Sequence, residues 1–294
     1  MRSAVVVLSA IVLMFSATVA SAQEKAPEKL IVALKPDKNP EQINKEKQVL
    51  SEFLSKELSM PVEVVVPLSS AVILEGYANG TIDLGYLSGT DLVRARAAKS
   101  AELLLVGEIN GKTHYSSYWL ALKDKPYKSV EELKGKPVAF ASKTSTSGYT
   151  IPHWNLIKKG LLKEGDKPEA FFGEGNVFFG SGYVSAVERV LKGDAEAAAV
   201  SDYVMDKDKH LSTEQRAQLK VVQQQGPVPT HILAVRTTLP KELKDKLKTA
   251  LLKLNEEANH GLRDKVFTSK LVEADMDKHL ESLTDALKVT GQTK

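Results

Sequence analysis

Apolar and polar positions change period repeatedly along this chain, and the changes mark out its elements. Leu30 to Leu34 is a short unbroken apolar run, the pattern of a strand covered on both faces. A polar loop over Lys35 to Pro40 leads into Glu41 to Leu58, where Ile43, Val49, Leu50, Phe53 and Leu54 form an apolar helical stripe. Pro61 to Val66 is valine-rich and strand-like. Ser69-Ser70 then caps a helix running to Ala78, with Gly80 just past its end. Ile82 to Leu87 is a third strand, and Ser88-Gly89-Thr90-Asp91 opens a helix reaching Ala98. Strands alternating with helices predict a mostly parallel, doubly wound sheet with both faces covered.

The same order returns further on. Lys136 to Ala141 reads as a strand, Ser147 to Leu161 as a helix, Glu169 to Phe172 as a strand, Ser181 to Leu191 as a helix and Ala195 to Val200 as a strand. At an offset of 113 residues Gly80, Asp83 and Ser88 are answered by Gly193, Glu196 and Ser201. Two similar α/β lobes follow. Between them Leu103 to Ile109 and Tyr118 to Leu122 read as strands, Asp124 to Ser129 as a turn and Val130 to Leu133 as one helical turn. Gly226-Pro227-Val228-Pro229 breaks regular structure. After Ile232 to Arg236, a strand, two amphipathic helices over Pro240 to Asn259 and Leu271 to Val289 close back over lobe one. The expected division is a signal peptide over 1–22, a leader over 23–28, lobe one over 29–122 and 228–294, and lobe two over 126–224. Two hinge crossings fall near 121–125 and 223–230, with a cleft between the lobes.

Composition narrows the class. Arg2, the apolar run Val5 to Phe15 and Ala20-Ser21-Ala22 before Gln23 read as a cleavable secretory signal. There is no cysteine, so neither a lipid attachment site nor a disulfide is available, and a soluble periplasmic protein is expected. Forty basic side chains face 37 acidic ones, a formal net charge of +3, and the two signs are interspersed, unlike the dense basic face of a nucleic-acid binder. The six histidines show no metal-ligand spacing, and no cofactor motif is present. With no G-x-S-x-G elbow and no P-loop, the expectation is binding without catalysis.

The candidate chemistry centres on Val138 to Pro152, V-A-F-A-S-K-T-S-T-S-G-Y-T-I-P. An apolar strand breaks into hydroxyls and Gly148, then turns helical. The loop Ser142 to Gly148 therefore either offers unpaired N–H groups and the positive end of a helix dipole to an anion or is a plain N-cap cluster. Other loops at strand ends compete for a ligand. One is Tyr86 to Asp91, in which Tyr86 either faces the cleft or packs in the sheet; another is Ser69-Ser70, where Ser70 either binds or belongs to an N-cap. Gly180-Ser181-Gly182-Tyr183 allows close backbone approach. Asp202 either meets a ligand or caps the next turn. His114 to Tyr118 reads as rim, Lys143 as solvated, and His153 and Trp154 as packing.

Four segments together resemble a known family: F-A-S-K-T-S-T-S-G-Y-T-I-P, P-V-E-V-V-V, G-T-I-D-L-G-Y-L-S-G, and F-F-G-S-G-Y followed by V-L-K-G-D-A-E-A-A-A-V-S-D. They are similar to the phosphate/phosphite/phosphonate-binding proteins of ABC transporters, over Leu30 to Leu283. The resemblance implies a two-lobed periplasmic binding-protein fold (type II) that closes on its ligand and hands it to an inner-membrane permease. It implies Ser145, Thr146 and Ser147 on the anion, with Tyr86 and Asp202 lining the cleft. Ser70 stands where the family usually has tyrosine, and Tyr183 where a histidine commonly donates. The expected function is capture of a small oxyanion, phosphite-like or phosphonate, by a monomer. The alternative is a ligand-sensing partner of a membrane histidine kinase on the same fold.

Overall fold

In the computed structural model, residues 26–34, 40–206, 210–267 and 269–292 are described. The expected signal peptide over 1–22 lies outside them, as do the first half of the leader and the loop before Pro40.

The strands and helices in chain order are β1 (Leu30–Ala33), α1 (Pro40–Leu58), β2 (Val62–Val65), α2 (Ser70–Asn79), β3 (Leu84–Leu87), α3 (Gly89–Ala97), β4 (Ala101–Glu108), β5 (His114–Leu122) and β6 (Val138–Phe140). They continue with α4 (Ile151–Lys158), α5 (Glu169–Phe172), β7 (Val177–Phe179), α6 (Tyr183–Lys192), β8 (Ala197–Ser201), α7 (Tyr203–Asp206) and α8 (Thr213–Ala217). The last are β9 (Leu219–Pro229), β10 (Ile232–Arg236), α9 (Lys241–Leu252), α10 (His260–Val266), β11 (Lys270–Val272) and α11 (Met276–Val289).

Two sheets result, ordered β11-β4-β10-β3-β1-β2 and β7-β6-β8-β5-β9. Each carries apolar clusters that cover it, which is why β3 and β8 are buried along their whole length. The internal repeat holds at the level of topology: β2-β1-β3 and β7-β6-β8 are parallel triplets, each flanked by one antiparallel strand, β10 or β5. Gly80 and Gly193 end α2 and α6 with φ of 77° and 80°, the left-handed cap that glycine adopts without penalty. The sheets are mixed rather than mostly parallel, because β10 and β5 run against both of their neighbours.

Several boundaries differ from the sequence reading. Glu169–Phe172 is a helical turn rather than a strand. Pro168 leads into it and Gly173, at φ 93°, stops it, while Phe171 and Phe172 enter the lobe-two core; the second strand of this lobe is β7 instead. β5 starts at His114 and pairs only with β8 and β9, so the chain leaves lobe one before it, not near 121–125. That crossing is a tight Asn110-Gly111 turn with both φ positive, closed by paired bonds between Ile109 and Lys112. β9 runs through Gly226-Pro227-Val228-Pro229 at the sheet edge, where proline is tolerated because one side of the strand faces no other strand among the described residues. Val228 and Pro229 thus belong to lobe two, and the return crossing shrinks to Thr230-His231. Thr230 stitches the crossings together, its hydroxyl sharing its one proton between the carbonyls of Gly107 (2.6 Å) and Thr113 (2.9 Å). The helix expected over 240–259 ends at Leu252 with a 3₁₀ turn to Asn255. Leu271 begins in β11, and α11 starts only after the Asp275 cap.

α11 does more than close over lobe one. Leu280, Leu283 and Leu287 pack into a lobe-one cluster, while Ala286 meets Ile151 and Val228 of lobe two. Trp154 donates to Asp285 (2.8 Å) and Gly165 N–H to the Val289 carbonyl (2.8 Å). The C-terminal helix therefore spans the junction beside which the Ser142–Gly148 loop lies.

Candidate functional site

The end of β6 delivers the hydroxyl loop to the lobe junction. Ser145 is the N-cap of a five-residue π turn, Thr146–Thr150, that runs directly into α4. Its Oγ accepts from Gly148 N–H at 3.0 Å, and its carbonyl accepts from Thr150 N–H at 3.0 Å. Those acceptors occupy the later N–H groups of the turn. The N–H groups of Thr146 and Ser147 begin the helix, where no intrahelical acceptor exists. Gly148 is required by packing: a Cβ there would strike Ala141 Cβ and come within 2.8 Å of Ser145 Oγ.

The side chains of Thr146 and Ser147 are buried. Thr146 Oγ1 lies 2.9 Å from Thr90 Oγ1, a hydroxyl contributed by the first turn of α3 in the other lobe. Ser147 Oγ is 2.7 Å from Tyr183 Oη and accepts from Tyr115 Oη at 3.3 Å. Burial pushes the Tyr115 phenol well above its ordinary pKa, and the neighbouring Tyr183 adds to this; the phenol stays protonated and remains a donor. Beneath the loop, Ser117 Oγ donates to the Ser147 carbonyl at 2.6 Å.

Of the residues expected from sequence, Ser145, Thr146, Ser147 and Tyr183 come together. Asp202 stands beside them as a scaffold. One oxygen accepts from Ser116 N–H (2.8 Å), the other from Tyr203 N–H (2.7 Å) and Ser201 Oγ (3.2 Å), which is the capping alternative. Burial raises the Asp202 pKa, opposed by those backbone bonds. Tyr86 does not join the loop. It shares with Leu84 the face of β3 that enters the first lobe-one cluster, and its hydroxyl donates to the Phe267 carbonyl at 2.8 Å. Ser70 begins α2, is partly exposed, and makes no side-chain hydrogen bond among the described residues. Lys143 is exposed, with its ammonium 5.3 Å from the centre of the Phe179 ring, and His153 is buried against Tyr149.

Thr90, Tyr115 and Ser117 are members of the site: Thr90 belongs to the Tyr86 to Asp91 loop, a candidate from the sequence in which only Tyr86 is singled out, while Tyr115 and Ser117 read as rim from sequence. The signal for the last two is the period of two in β5: stepping back from buried Trp119 gives Ser117 and Tyr115 on the same face. Among the described residues no cluster of metal-ligating side chains occurs, and no helix is long and apolar enough to cross a membrane.

The chain is similar to several known proteins. The phosphate-import protein PhnD of Mycolicibacterium smegmatis is 29% identical over 231 residues, covering 77% of this chain and 72% of that one. XAC2383 from Xanthomonas citri bound to chloride ion superposes with a TM-score of 0.78 at 18% identity, over 91% of this chain and 100% of that one. PhnD1 from Prochlorococcus marinus in complex with methylphosphonate gives 0.73 at 18%, over 91% and 99%. These neighbours share the two-lobed, type II binding-protein fold. The family described as "ABC transporter, phosphonate, periplasmic substrate-binding protein" matches residues 32–280, and the chain belongs to that family of transport components, whose place is beside a membrane permease.

Proposed function

We propose that the Ser145–Ser147 turn captures a small oxyanion, phosphite-like or a phosphonate, between the lobes for delivery to the permease, without turnover. The observation that carries this reading is the meeting of Thr146, at a helix start in lobe two, with Thr90, at a helix start in lobe one. Each offers a hydroxyl and the positive end of a helix dipole to one spot. With the lobes together the two hydroxyls satisfy each other; a ligand enters when they part, and its oxygens then replace that bond on both sides. Closure expels water, so neutral donors act on the anion in a medium of lower dielectric. Tyr115 and Tyr183, on Ser147 Oγ, set the direction in which that hydroxyl points. Secretion through the segment over 1–22 and a monomeric state complete the proposal.

Isothermal calorimetry of the purified protein with phosphite, phosphate, methylphosphonate and aminoethylphosphonate tests it. Saturable one-to-one binding of at least one member is expected; no heat with any of the four overturns the oxyanion assignment.

A further inference from the structure

A loop that binds an anion through N–H groups must also keep its carbonyls turned away, because a carbonyl dipole aimed at the site repels the guest. Thr150 N–H and Ile151 N–H take the carbonyls of Ser145 and Thr146, but the next donor in that series falls on Pro152, which has no N–H. The Ser147 carbonyl is therefore the one most at risk. It is held down by Ser117, and Ser117 does not act alone. Val130 N–H donates to Gln223 Oε1 (3.3 Å); Gln223 Nε2 donates to Gln225 Oε1 (3.3 Å) and to Asn155 Oδ1 (2.8 Å). Gln225 Nε2 donates to Ser117 Oγ (3.0 Å), and Ser117 Oγ donates to the Ser147 carbonyl (2.6 Å). Every bond from Val130 to the Ser147 carbonyl points the same way, so each donor is polarised by the one behind it. Gln225 and Ser117 are both buried, which removes water as a substitute partner.

We infer that Gln225 is a positioning residue for anion binding, acting through Ser117 to orient the Ser147 peptide away from the guest. Ser117 needs an acceptor-side partner to commit its single proton to Ser147; Gln225 supplies it. The arrangement crosses three elements, with Gln225 on β9, Ser117 on β5 and Ser147 in the turn before α4, so it also ties the edge strand to the site. The side-chain hydrogen bonds of Gln225 run to Gln223 and Ser117, and the Ser145–Ser147 turn is reached through Ser117.

This inference rests on the reading that the Ser145–Ser147 turn binds the anion, and the test separates the two. Affinity for methylphosphonate and for phosphate is measured by calorimetry for the unaltered protein, Gln225→Met and Gln225→Glu, each from pH 5 to 8. Gln225→Met is expected to bind about tenfold more weakly, the loss of one buried donor, with the melting temperature of the ligand-free protein within a few degrees. Gln225→Glu should be weaker still at pH 8, where a carboxylate cannot donate to Ser117. It should recover toward the unaltered protein at pH 5, where a buried carboxyl regains its proton. Taking the ratio to the unaltered protein at each pH cancels titration of the ligand itself. Unaltered affinity in Gln225→Met, or a Gln225→Glu ratio that does not change with pH, overturns the positioning role and leaves the site intact. Failure of the unaltered protein to bind either anion overturns the site and the inference together.

Discussion

The two lobes repeat one topology and differ in how they treat charge at the same point of it. In lobe one Asp83, entering β3, is almost wholly buried. It accepts from Arg236 Nε of the adjoining β10 at 2.7 Å and from Ile31 N–H at 2.8 Å. In lobe two Glu196, entering β8, accepts from Lys125 just beyond the adjoining β5 at 3.0 Å and from Tyr127 at 3.1 Å, with both charged side chains partly in solvent. The hydroxyls are distributed the other way: Ser145, Thr146, Ser147, Tyr115, Ser117 and Tyr183 are all in lobe two, and lobe one brings Thr90. Lobe one is thus a frame locked by a desolvated ion pair, and lobe two carries most of the clustered hydroxyls. A buried pair fixes which residues adjoin but leaves a costly orphan when broken; a wet pair does neither.

The sharpest way to break this comparison is to remove each cation in turn. Arg236→Met, which strands the buried Asp83 carboxylate, should cost about 3–5 kcal/mol in urea unfolding, whereas Lys125→Met should cost about 1 kcal/mol or less. Equal losses would mean that the lobes are not differently built. The junction supplies the next effect. His279 of α11 is buried against the His114 ring (5.0 Å between centres) and the Thr230 carbonyl (3.4 Å). Burial first, then His114, lowers its pKa from 6.5 to about 4. The folded state therefore binds fewer protons than the unfolded one between these values. The stability is full above about pH 6.5 and is lost as pH falls toward 4, on the order of 3 kcal/mol in all. His279→Gln should flatten that part of the stability profile in denaturant titrations at several pH values; an unchanged slope would place the acid sensitivity elsewhere.

Ligand affinity gives the third effect. Under the proposed reading Thr146→Ala should cost the ligand a charge-assisted hydrogen bond worth about 1.5–3 kcal/mol, roughly 10- to 150-fold in Kd by calorimetry. The smallest change expected is in Tyr86→Phe, whose lost hydroxyl serves the Phe267 carbonyl. Its anion affinity should stay within about twofold, a shift under about 0.5 kcal/mol. A larger loss there would return Tyr86 to the cleft.

What was legible in the sequence was local. The apolar strand, the hydroxyl run, Gly148 and the helical period after it needed only neighbouring residues, so the loop around Thr146 could be read directly. The paired glycine caps at Gly80 and Gly193 exposed the repeat for the same reason. What depended on distant pairing was not legible. β9 forms through a Gly-Pro-Val-Pro stretch because β5 lies beside it, and Gln225 gains its role only from that pairing. The face that Tyr86 takes is chosen by the core of lobe one, since a strand buried on both sides carries no alternation to read. Glu169–Phe172 is too short an apolar run to tell turn from strand until Pro168 and Gly173 are seen to bracket a helical turn.

The central claim is that an anion sits where Thr146 and Thr90 now meet. A crystal structure of the protein with methylphosphonate or phosphate bound tests it most directly. The account predicts ligand oxygens within hydrogen-bond distance of Thr146 and Ser147 from lobe two and of Thr90 from lobe one, with the Thr90–Thr146 bond broken. A ligand bound away from the lobe junction, with that bond intact, would contradict it.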